Sequence, residues 1–226
     1  MVIMDVAVNL DDIKKQIEQA CAKSNRNLEE ITLIGVTKYV TIERTEEALQ
    51  AGVKNFGENR LEGFLTKYDH FQDRAKWHFI GTLQSRKVKD VIDKVDMIHS
   101  LDRMSLAKEI NKRADDVMDC FVQVNVSGEK TKHGLEPEEV LPFIEEVGKY
   151  EKIRIAGLMT MAPHIEDESR LRKIFRELAE LRDKARSHNF SHAPCKFLSM
   201  GMSNDFSVAV EEGATHIRIG SSLVGD

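Results

Sequence analysis

The hydrophobic positions of this chain follow two periods in alternation. Leu10, Ile13, Ile17, Ala20 and Cys21 recur at helical spacing near the start, which predicts an amphipathic helix there. Short, nearly unbroken apolar runs then appear at 31–36, 53–56, 77–80, 97–99, 120–126, 153–158, 196–198 and 217–219, each the length of a buried strand. Charged stretches with helical periodicity separate them. The clearest is 167–187, where Leu171, Ile174, Phe175, Leu178, Leu181 and Ala185 form one stripe among arginines, lysines and glutamates. Asp102 is the expected N-cap of a helix over 103–114, and Pro137 a first-turn proline of a helix ending near Val147 that Pro142 should kink.

Eight strands alternating with helices, without hairpin signals, predict a parallel sheet joined by right-handed crossovers and closed on itself. The expected fold class is therefore α/β, a single-domain (β/α)8 TIM barrel over residues 1–226 with an extra N-terminal helix. A dinucleotide-binding sheet fits less well, because Gly35-Val-Thr-Lys38 stands where a GxGxxG turn would follow the first strand. No linker-like segment, internal repeat or low-complexity tract divides the chain.

Composition narrows the function classes. Hydrophobic residues make up 41% and charged residues 31%, enough for a full core. The 33 basic against 38 acidic residues give a net charge of -5, which argues against nucleic-acid partners and anionic membranes. Cys21, Cys120 and Cys195 are too scattered for a disulfide framework or zinc ribbon, and the first ten residues lack a secretory pattern. A cytoplasmic location and a monomer are the expectations.

In a barrel the C-terminal strand ends gather on one face, where function collects. Lys38 closes the first strand there. A lysine amine becomes nucleophilic when its environment lowers its pKa, and it then condenses with a carbonyl. The plain alternative is a solvated lysine at a strand end. Two glycine- and serine-rich segments, Ser199-Met-Gly-Met-Ser203 and Arg218-Ile-Gly-Ser-Ser222, close the last two strands, where barrels most often hold a phosphate. Gly201 suits a positive φ that lets backbone N–H groups converge on an anion, although each segment alone also reads as an ordinary turn.

These segments together resemble the pyridoxal 5'-phosphate (PLP) homeostasis proteins. The matching residues are Val36-Thr-Lys38, Phe56-Gly-Glu-Asn59, Trp77-His-Phe-Ile-Gly81 with Leu83-Gln84, His99-Ser100, Gly157-Leu-Met159, Leu198-Ser-Met-Gly-Met-Ser203 and Arg218-Ile-Gly220. The resemblance implies a barrel like the N-terminal domain of alanine racemase, the type III fold of PLP proteins. It also implies that Lys38 holds the cofactor as a Schiff base, that Ser199, Gly201, Gly220 and Ser221 surround the phosphate, and that Arg218 faces the pyridine nitrogen. Arginine only donates hydrogen bonds, so that nitrogen would stay unprotonated and the cofactor would be a weaker electron sink. Two departures stand out: Arg86 occupies a position where the family usually has asparagine, and the chain stops at Asp226, a few residues early.

Other residues admit two readings. His78 either contacts the cofactor or is a satisfied core histidine. Glu58 and Asn59 either orient Lys38 or the cofactor's 3'-oxygen, or start a helix after Gly57. Met159, Met161, Met200 and Met202 suit soft packing around a ligand. Lys130 and Lys132 form either a solvated loop or a basic lip. His188 and His192 lack a carboxylate partner, so no metal is expected.

The favoured function is cofactor buffering and delivery to apo PLP-enzymes. The alternatives are a PLP-dependent amino-acid racemase and a cofactor-free, Schiff-base aldolase-type barrel. Racemisation requires two positioned proton-transfer groups, and Lys38 is the one evident candidate; no catalytic residue is assigned, and a second domain supplying an opposing acid or base is not expected.

Overall fold

A computed structural model describes residues 5–129 and 131–225. Eight parallel strands close in sequence order: β1 (Thr32–Val36), β2 (Asn55–Glu58), β3 (Lys76–Phe79), β4 (Met97–Leu101), β5 (Met118–Gln123), β6 (Ile153–Met159), β7 (Phe197–Met202) and β8 (His216–Ile219). Helix α1 (Val6–Ser24) precedes them. Helices α2 (Ile42–Gln50), α3 (Leu61–Phe71), α4 (Val88–Val91), α5 (Met104–Arg113), α6 (Val140–Val147), α7 (Glu168–Ser187), α8 (Phe206–Glu211) and α9 (Ser221–Val224) follow the strands in turn. Every strand run expected from the sequence falls on one of the eight, in a (β/α)8 barrel.

Strand alternation divides the buried side chains between two cores. On β3, Trp77 and Phe79 point outward into an aromatic cluster with Phe64 of α3, Phe64 to Trp77 being 5.8 Å between ring centroids. His78, between them, points into the barrel and meets His99, His216 and, through them, Phe121. Register carries the same assignment around the sheet: Gly57 pairs with His78, and Val36 with Gly57. The barrel interior is therefore partly polar, whereas the layer under the helices is apolar.

Helix α1 compensates for short elements at the other end of the chain. Helices α8 and α9 span 6 and 4 residues and cover little of the sheet. The buried stripe of Val6, Leu10, Ile13, Ile17, Ala20 and Cys21 packs over them instead. Asp5 caps α1 through the N–H of Ala7 at 2.8 Å, and Asn9 of α1 donates to the carbonyl of Leu223 at 2.9 Å.

Two expectations about helix ends need correction. Helix α5 is flanked by Arg103, and the Asp102 carboxylate pairs with Arg103 at 2.6 Å rather than capping the helix. Pro137 opens a short 3-10 turn, and Pro142 is the third residue of α6, inside the first turn, where no N–H is needed; the expected kink has no cause there.

Candidate functional site

Strand β1 aims Lys38 at the barrel mouth. Ile34 and Val36 face inward, so Lys38, two residues beyond Val36, continues that side as the strand gives way to a turn closed by Val40 N–H to Thr37 C=O at 3.2 Å. Lys38 is exposed, and its Nζ lies 5.0 Å from the Tyr39 ring centroid; the Arg60 guanidinium approaches the same ring at 5.8 Å. Both Lys38 and Val36 border a cleft of about 660 Å³, a size suited to a cofactor. Asn59 from the end of β2, Met202 and Ser203 from the end of β7, and Arg218, Gly220 and Ser221 from the end of β8 complete its polar and soft lining.

A bulge decides which residues of β7 reach the cleft. Ser199 pairs with His216 and Met202 with Arg218, so three steps along β7 match two along β8. The extra residue sits at Met200-Gly201, where Gly201 has φ 93°. Strict alternation from Ser199 would turn Gly201 inward; the bulge brings Met202 there instead. Gly201 serves packing, since a Cβ on it would lie 2.6 Å from the Ala209 Cβ of α8. Asp205 pins the bulge by accepting the Met202 N–H at 2.5 Å.

The expected phosphate residues consequently separate. Ser199 is fully buried below the cleft, its hydroxyl engaged by His99 and Arg218, and does not border the opening. Ser203 brings a hydroxyl to the lining. Its Oγ accepts the N–H of Gly220 at 3.2 Å and of Ser222 at 3.5 Å, so two amides of the turn entering α9 converge on one oxygen. A phosphate oxygen is a stronger acceptor for such a pair.

Arg218 forms the floor at 4% exposure. It donates to Ser199 Oγ at 2.5 Å and to the Thr160 carbonyl at 2.8 Å, which uses two of its five N–H groups. Among the described residues it makes no ion pair, and burial lowers its pKa to about 10. The Asp205 carboxylate opposes that lowering, so the guanidinium is held by two neutral oxygens with one acidic group nearby. The residues fit an aldehyde with a phosphate and a ring nitrogen on a further ground: Asn59, which lines the cleft, has its Oδ1 buried without a partner among the described residues.

His78 is buried below the cleft and outside its lining, 3% exposed and bonded to His99 at 3.0 Å and Asn55 at 3.2 Å. Glu58 faces away from the cleft. Its Oε1 accepts from Thr37 Oγ1 at 2.7 Å and Lys67 Nζ at 2.6 Å, and Lys67 also donates to the Thr37 carbonyl at 2.5 Å. The pair thus anchors the residue preceding Lys38. Sequence reasoning missed Lys67, although its position between Phe64 and Phe71 on the buried stripe of α3 was a signal.

The remaining candidates lie elsewhere. Met161 and Met202 border the cleft, while Met159 and Met200 are core. Arg86 is exposed and donates to Gln84 at 3.0 Å. Lys132 is tied to Glu129 and to the Met161 carbonyl, and Lys130 lies outside the described residues. His188 and His192 bond separate carbonyls, Lys184 and Ile144, and no metal-ligating cluster occurs among the described residues. None of the described helices is long and apolar enough to cross a membrane.

Comparisons with known proteins agree with this geometry. The alanine racemase N-terminal domain model matches residues 8–226. The pyridoxal phosphate homeostasis protein of Aquifex aeolicus is 43% identical over 228 residues, covering 99% of each chain. PipY of Synechococcus elongatus, solved with PLP bound, superposes with a TM-score of 0.80 at 27% identity over 93% of this chain and 100% of that one. Alanine racemase of Corynebacterium glutamicum shares the fold, with a TM-score of 0.73 at 14% identity, 98% of this chain covering 60% of that one. Matched by that domain model over residues 8–226 and 43% identical to the Aquifex protein along its whole length, the chain belongs to the pyridoxal phosphate homeostasis protein family.

Proposed function

We propose that this protein binds PLP in the cleft, holds it on Lys38, and keeps it available for transfer to apo PLP-enzymes in the cytoplasm. The observation that carries the reading is convergence: Lys38, Arg218, Gly220, Ser221 and Ser203, whose hydroxyl gathers the Gly220 and Ser222 amides, all lie at one opening, with the Ser222 amide behind it. PLP bound to PipY supports the choice of ligand. PLP would supply an aldehyde with which the Lys38 amine could condense with loss of water. Arg218 would hold the ring nitrogen as a donor, and Ser203, Gly220 and Ser221 would hold the phosphate.

We read the site as one for holding the cofactor: among the described residues its titratable lining side chains are Lys38, Tyr39, Arg60 and Arg218, and Lys38 and Tyr39 leave the loop after β1 side by side rather than from opposite walls. Two-faced proton transfer at an α-carbon requires an acid and a base on opposite sides. Incubation with PLP should produce a near-visible absorption band, and mixing with an apo PLP-enzyme should restore that enzyme's activity. A colourless protein would remove the cofactor reading and leave the aldolase-type barrel. Amino-acid racemisation abolished by Lys38→Ala would replace the carrier with an enzyme.

A further inference from the structure

Below the cleft a line of hydrogen bonds crosses the barrel interior. It runs from Arg218 Nη1 to Ser199 Oγ (2.5 Å), from Ser199 Oγ to His99 Nδ1 (2.9 Å), from His99 Nε2 to His78 Nδ1 (3.0 Å) and from His78 Nε2 to Asn55 Oδ1 (3.2 Å). We propose that Ser199, His99 and His78 are positioning residues, a one-directional relay that holds the Arg218 guanidinium edge-on to the ring nitrogen of the bound cofactor. The inference rests on the cofactor reading above and goes beyond it in assigning the residues that aim Arg218.

The direction follows from donor arithmetic. A guanidinium only donates, so Ser199 Oγ accepts. The Ser199 hydroxyl hydrogen then has one remaining partner, His99 Nδ1, and a protonated Nδ1 would strand that hydrogen in a fully buried site. His99 therefore carries its proton on Nε2 and donates to His78 Nδ1. His78 in turn carries its proton on Nε2 and donates to Asn55 Oδ1, an acceptor, which ends the line correctly. Each bond polarises the next in the same sense, leaving Ser199 Oγ the more negative acceptor for Arg218.

Both imidazoles stay neutral, as the relay needs. Burial, then His216, pushes His78 down to about 3, and burial, then His78 and His216, holds His99 well below the ordinary histidine value. The relay and the Thr160 carbonyl fix two points of one guanidinium plane, which is enough to set the direction of the rest.

Two measurements on the full chain test this. In cofactor-free, 15N-labelled protein, long-range 1H–15N correlation spectra should report Nε2–H tautomers for both His78 and His99, and an Nδ1–H tautomer on either would overturn the relay. This reading needs no variant and no cofactor. Dissociation constants are then compared for PLP and for an analogue with a CH in place of the ring nitrogen. Ser199→Ala should weaken PLP binding about tenfold while leaving the analogue unchanged, with Ser199→Thr restoring PLP binding. Equal losses for both ligands, or none, would refute the positioning role. A wild-type protein that binds neither would refute the cofactor reading, with the tautomers still deciding the relay.

Discussion

Lys67 Nζ lies 2.6 Å from Glu58 Oε1 in the apolar layer between α3 and the barrel, with side-chain exposures of 6% and 0%. The same ammonium donates to the Thr37 carbonyl, so a buried ion pair fixes the backbone from which Lys38 departs. Removing one partner of such a pair strands a charge, whereas replacing both removes the penalty. Lys67→Met should destabilise the protein by about 3–5 kcal/mol, and adding Glu58→Leu should recover most of that loss. Urea unfolding of wild type and both variants checks this; a double variant no more stable than Lys67→Met would contradict it.

Reduction of the PLP-loaded protein with borohydride should fix the pyridoxyl mass on the peptide containing Lys38. Lys38→Ala should lose the near-visible band with an unchanged circular dichroism spectrum, since an exposed side chain carries little stability. Mass mapping that finds the label only on other lysines would remove the assignment.

Gly201→Ala should cost about 2–5 kcal/mol, because the added methyl both occupies a positive-φ position and meets α8. The expected readout is a lowered melting temperature with weakened PLP binding, as the same bulge orients Met202 and Ser203. A variant as stable as wild type would mean that β7 relaxes without strain.

Stability should fall steeply below pH 6. His78, His99 and His216 are neutral in the fold, with burial the largest cause, pushed to about 3, well below normal and to about 4. The unfolded chain takes up protons on these residues below about pH 6.5, so unfolding binds protons and stability present above that pH is lost as pH falls toward 4. Three such groups imply a slope approaching about 4 kcal/mol per pH unit between pH 5.5 and about 4. Denaturant unfolding at several pH values measures it, and His216→Phe should reduce the slope by about one third.

The strand count, their order and the face bearing Lys38 were legible because buried parallel strands and amphipathic helices leave different periods in the sequence. Arg218 and Gly220 were legible for the same reason: β8 pairs without a register shift against β1, so counting along the strand suffices. On β7 the outcome is divided: one extra residue at Gly201 shifts the alternation, so Ser199 lies below the floor while Met202, expected beside the ligand, and Ser203 line the cleft.

What the sequence by itself determined is the set of local periods and the lysine that ends the first strand. What only the tertiary structure decided is which polar side chains meet. Lys67 with Glu58, and Ser199 with His99 and Arg218, lie 9, 100 and 19 residues apart along the chain. Barrel closure and one bulge bring them within hydrogen-bonding distance, and a buried polar atom takes whichever partner the folded surroundings leave it.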